Sequence, residues 1–182
     1  MAYKKDEVIR GLDKPFASNN FVVRITKMEK TRSQAGNPMV VTDIEIVSPS
    51  TVKSGKDTIQ TAGISTRLFG MLDPSNPLGL SKMVGALERA GLPPQEVQEL
   101  EDDELFEADV PEKLKAYVGK TFCMTLSCKP RVMFRNPTPE ERAAGIERQP
   151  LKDANGKEIT AGYQLDADWG SVTGPAGDVD GF

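Results

Sequence analysis

Residues 21–27 and 39–47 are two runs of β-forming side chains joined by a basic turn. A pair of this kind commits the chain to an antiparallel sheet with one buried face. In Phe21-Val22-Val23-Arg24-Ile25-Thr26-Lys27, alternation sends Phe21, Val23 and Ile25 to a core and Val22, Arg24 and Thr26 away from it. In the second run Val40, Ile44 and Ile46 share one face, and Asp43 and Glu45 share the other. The connector, Lys30-Thr31-Arg32-Ser33-Gln34-Ala35-Gly36-Asn37-Pro38, mixes cations with Gly and Pro. That composition suits a surface turn that meets an anion, and equally an ordinary hairpin.

The rest of the chain extends this nucleus. Residues 1–20 read as a polar leader, with Tyr3 and Phe16 able to pin it to the body. Residues 48–57 read as a loop. Residues 58–69 read as a third strand marked by Ile59, Ile64 and Leu68, with Gly63 at a bulge or bend. Leu80, Met83, Val84, Leu87 and Ala90 then recur at helical spacing, and Gly91 and Pro93 end the helix. Residues 95–112 hold nine acids and no base, the composition of a solvated excursion. Its apolar members are Val97, Leu100, Leu105 and Phe106. A fourth strand spans 121–128, where Phe122, Met124 and Leu126 alternate with Thr125 and Ser127. Pro130 bends that strand or puts it on an edge. A long loop with a capping box at Thr138-Pro139-Glu140-Glu141 leads to a last strand at 159–165.

Strand, strand, strand, helix, strand, strand is the order of an OB-fold barrel; an unrelated antiparallel α+β sheet shares it. The expected class is therefore mainly β with helical insertions: an OB-fold-like five-stranded antiparallel barrel plus a flexible C-terminal tail. The expected organisation is one domain over residues 1–165, an acidic helical insertion near 73–118, a long loop near 136–160, and an acidic tail over 166–182.

Charge is segregated along the chain. Residues 1–69 carry a net +4 and residues 113–160 a net +5, whereas 70–112 carry −9 and 161–182 carry −4. The strand-rich blocks are thus basic although the whole is acidic, and the local field decides what a face can bind. No apolar run reaches the roughly 20 residues of a membrane span, and the charged first residues lack a secretory signal's apolar region. A cytoplasmic protein without a membrane partner is expected.

The chain has no histidine, which excludes Ser-His-Asp and Cys-His catalysis. Cys123 and Cys128, five apart on one strand, point to opposite faces and are expected to be reduced. Two thiols without histidine do not complete a usual zinc site, and no phosphate-binding glycine loop is present. No cofactor and no metal is expected. Asp43 and Glu45 share a face and resemble a Mg²⁺-holding nuclease pair, but pairing with Arg24 or Lys27 across the hairpin is the stronger explanation of them.

Cations and aromatics interleave in a way that suits single-stranded nucleic acid. Cations track phosphates while rings stack on bases, at about 1–3 kcal/mol per base. The candidate DNA-binding residues are Arg24, Lys27, Lys30, Arg32, Arg67, Phe69, Lys129, Arg131, Phe134, Arg135, Lys152, Lys157 and Tyr163. Phe69 and Phe134 fit a core position equally well. Trp169 either caps the barrel or begins the tail.

The element order and the ending Asp178-Val179-Asp180-Gly181-Phe182 resemble the bacteriophage single-stranded DNA-binding proteins built on an OB-fold. The resemblance implies a non-enzymatic protein of phage DNA replication or recombination in the infected host cytoplasm. It also implies that Asp178, Asp180 and Phe182 recruit a phage DNA polymerase, primase-helicase or nuclease and compete with DNA for the basic groove. A phage protein-interaction or assembly module, binding through the acidic insertion, is the alternative.

Overall fold

The computed structural model describes residues 12–33, 36–72, 77–100, 110–146 and 148–176. The strands are β1 (Asn19–Arg32), β2 (Pro38–Ser48), β3 (Thr51–Ser54), β4 (Asp57–Gln60), β5 (Ser65–Met71), β6 (Thr121–Val132), β7 (Phe134–Arg135), β8 (Gln149–Pro150), β9 (Thr160–Asp166) and β10 (Val172–Pro175). The helices are α1 (Pro77–Arg89), α2 (Gln95–Glu99), α3 (Val110–Leu114) and α4 (Pro139–Ala143).

The main sheet runs β10-β6-β1-β2-β5, with β9 paired to the far half of β6. Its ladders are all antiparallel. β1 is the organising strand. Two register shifts, at Val22/Val23 and Ile25/Lys27, bend it. The bend lets residues 19–24 pair with β6 while residues 22–32 pair with β2. Phe21, Val23 and Ile25 are buried as expected. Val22 is buried too, against expectation, because β1 lies between strands and Val22 is flanked by Ser48 and Cys123.

Among the described residues no ladder joins β5 to β9, so the sheet is open and the expected closed five-stranded barrel is not formed. α1 and a 3₁₀ turn at Trp169–Ser171 both pack on β5 instead. α1 turns Met83, Ala86 and Leu87 inward, with Ala90 just past its end continuing the spacing of that face. Gly91 at φ +74° ends it: Leu92 N donates to Leu87 O at 2.9 Å and Gly91 N to Glu88 O at 3.0 Å. That is a Schellman motif, which favours glycine at its left-handed position.

Three other expectations change. Residues 48–57 are no simple loop, because β3 and β4 form a hairpin there. The expected third strand is two, since Thr61, Ala62 and Gly63 turn the chain between β4 and β5, with Gly63 at φ +81°. The fold also runs on past Leu165. Trp169 is 2% exposed and Val172 4%, and β10 adds to β6. Arg89 of α1 fastens this segment, donating to the carbonyls of Val172 and Trp169. The small residues there are held by a strand ladder and one large indole, which composition did not reveal.

The leader is pinned as expected at Phe16, whose ring centroid lies 5.2 Å from that of Phe21. Leu12 also exchanges two backbone bonds with Tyr163. Tyr3, Leu105, Phe106 and the tail residues Asp178, Asp180 and Phe182 lie outside the described residues. Both cysteines are free thiols. No described helix is long and apolar enough to cross a membrane.

Candidate nucleic-acid interface

The expected contact residues fall into two groups that the fold treats differently. The first is on the outer face of β1, β2 and β5. Register aligns Arg24 with Glu45 and Ser65, Lys27 with Asp43 and Arg67, and Glu29 with Val41 and Phe69. Three cations therefore meet three carboxylates. Arg24 donates to Glu45 through Nε at 3.1 Å and Nη2 at 2.5 Å. Arg67 donates to Asp43 at 2.7 and 3.3 Å, with its side chain only 10% exposed. Lys27 lies 3.6 Å from Glu29. The face is close to neutral. Its carboxylates are engaged by Arg24, Arg67 and Lys27, and no cluster of potential metal ligands forms among the described residues.

Two members of this group point elsewhere. Lys30 donates to the carbonyl of Leu100 at 3.2 Å, beside the acidic insertion. Arg32 donates to Gly36 O at 2.9 Å within its own turn. Tyr117 ties the end of the insertion back to its earlier part by donating to Pro93 O and, at 3.0 Å, to Glu96. Burial and the Glu96 carboxylate push its phenol well above the ordinary range. Phe69, by contrast, is 54% exposed: it is a surface ring rather than a core one.

The second group lies on an arm formed by residues 128–166. The far half of β6 pairs with β9, and Pro130 sits where β6 has β9 as its ladder partner, the edge position expected of it. The expected loop at 136–160 is structured. β7 pairs with β8, Thr138 and Glu141 form the capping box of α4, and the backbones of residues 152 and 158 form an isolated antiparallel β-bridge. Met133, Phe134, Ile146 and Ile159 are exposed apolar side chains on this arm.

Residues 129–158 hold seven Lys/Arg and five Asp/Glu. Arg135 and Glu141 form a bidentate pair at 2.8 and 2.7 Å. Its hydrogen bonds lower the Glu141 carboxyl to about 2 and raise the Arg135 guanidinium. Lys129 lies 3.6 Å from Asp166, with both side chains half-exposed. Arg131, Lys152 and Lys157 are exposed and make no ion pair with any described residue. These three keep their charge available to a ligand.

Phe134 is 42% exposed, and the guanidinium of Arg148 stands 4.4 Å from its ring centroid. An exposed contact of this kind is worth about 0.5–1 kcal/mol. A stacked base contributes about 1–3 kcal/mol, so Arg148 does not block the ring. Tyr163, in contrast, is half-buried against the core. Arg148 was absent from the expected contacts. Phe134 faces Pro150 across the ladder, which makes residue 148 its diagonal neighbour, and only the β7–β8 register reveals that.

No protein-family model matches the chain. No curated protein matches it at a significant level either.

Proposed function

We propose that this chain is a non-enzymatic single-stranded DNA-binding protein of phage DNA replication or recombination. The observation that carries the reading is the arm. There Arg131, Lys152 and Lys157 stand without ion-pair partners among the described residues, beside the exposed Met133, Phe134 and Ile159. Cations beside exposed rings are what an unpaired strand needs, because its phosphates and its base faces are both accessible.

The strand order supports the same reading. Taken as β5-β2-β1-β6-β9, the sheet has the neighbour sequence of an OB-fold barrel left open at its β5–β9 seam. The near-neutral outer face of β1, β2 and β5 contributes Phe69 as a stacking surface but little phosphate attraction. The phosphates follow the arm. The tail residues Asp178, Asp180 and Phe182 serve as the hook for replication enzymes, an aromatic anchor beside a carboxylate that a cationic pocket recognises.

Fluorescence anisotropy with a labelled oligothymidylate of about 30 nucleotides, against a duplex of equal length, tests the proposal. The single strand is expected to bind saturably at low salt and more tightly than the duplex. Absence of binding would leave the protein-interaction module as the better reading.

A further inference from the structure

We propose that Phe134 and Arg148 form a two-sided clamp that takes one unpaired nucleobase between the phenyl ring and the guanidinium plane. The proposal rests on the single-strand reading above and adds to it a residue and a geometry.

The two walls come from opposite strands of one short ladder. Phe134 is on β7, opposite Pro150, and Arg148 immediately precedes β8. The next residue on β7, Arg135, is opposite Gln149 and is locked to Glu141 of α4 by a bidentate pair. The ring is thus carried by a strand held by its β8 ladder and by the Arg135–Glu141 pair. Arg148 makes no ion pair among the described residues, and its long side chain already lies over the ring at 4.4 Å.

A base entering between them needs the planes to open by about 3.4 Å, the spacing of stacked bases. A flexible arginine stem permits that movement. Both surfaces then suit the ligand. The phenyl ring offers a π-face, and the guanidinium is planar, delocalised and weakly hydrated, so it stacks on a base as it stacks on an aromatic ring. Lysine, a compact point charge, has no such plane. The clamp accepts any base, because every base has two π-faces.

Two strands of equal length separate stacking from charge: an oligothymidylate and a backbone of abasic sites. Arg148→Lys keeps the charge and loses the plane. It is expected to bind the abasic strand as the wild-type chain does and the thymidylate strand about ten-fold more weakly. Phe134→Leu is expected to give the same pattern, and both variants should melt with the wild type because the side chains are exposed. If Arg148→Lys binds both strands like the wild type, Arg148 is only a charge and the clamp is wrong. If the wild type binds both strands equally, no base is stacked; the clamp falls while phosphate binding stands. If the wild type binds neither, the single-strand reading falls and the clamp with it.

Discussion

Arg67 on β5 donates two hydrogen bonds to Asp43 on β2, at 2.7 and 3.3 Å, with the arginine side chain 10% and the aspartate 20% exposed. The pair crosses the sheet face on which the sequence places cations, and it turns one of them into a structural element. Removing one partner of a poorly solvated pair leaves a charge uncompensated. Asp43→Asn is therefore expected to lower unfolding stability by about 1–3 kcal/mol. Single-strand affinity per folded molecule should change little. Urea denaturation and anisotropy measure the two effects separately.

The exposed rings behave differently from the core rings. Phe69→Leu and Phe134→Leu, at 54% and 42% exposure, should leave stability within about 0.5 kcal/mol of wild type and weaken single-strand binding. Phe122→Leu, at 0% exposure, should do the reverse and destabilise by about 1–3 kcal/mol. Thermal melting beside a binding isotherm distinguishes the two classes.

Glu141 offers a test by pH. Its bonds from Arg135 hold the folded carboxyl at about 2, below its ordinary 4.5. A lowered acid contributes stability that is fully present above the ordinary value and is lost as pH falls from there through 2. The carboxyl resonance of Glu141 should accordingly titrate near 2, and the arm should loosen only in that window. Glu141→Gln keeps the capping-box chemistry and releases Arg135. Low-salt binding should then tighten, with the salt slope steeper by about 0.7.

The tail prediction concerns residues 177–182. On the proposed reading their two aspartates, Asp178 and Asp180, make a local anion that would compete with DNA for the arm. Deleting them should tighten binding modestly at low salt, and the gain should vanish above about 0.3 M as screening shortens. Phe182→Ala should leave DNA affinity unchanged and lose the replication partner in a pull-down.

Much of the sheet was legible in the sequence because burial enforces period two. Phe21, Val23, Ile25, Val40, Ile44 and Ile46, and the α1 face at Met83 and Leu87, were all readable from spacing. What escaped depended on long-range pairing. β10 is a strand because β6 has an edge for it, and nothing in Val172-Thr173-Gly174-Pro175 states that. The candidate site divided along the same line. Residue type located the cations, but only register showed that Arg24 and Arg67 are engaged by carboxylates while Arg131, Lys152 and Lys157 are not.

The salt dependence of single-strand affinity tests the central claim most directly. Three chains are compared: wild type, Arg131→Ala/Lys152→Ala/Lys157→Ala on the arm, and Arg24→Gln/Glu45→Gln, which removes a neutral pair from the sheet face. Log K should fall linearly with log salt for the wild type, by about 0.7 per phosphate neutralised. The arm variant should flatten that slope by about 2, and the sheet-face variant should leave it unchanged. A slope untouched by the arm substitutions, or flattened by the sheet-face pair, would contradict the account.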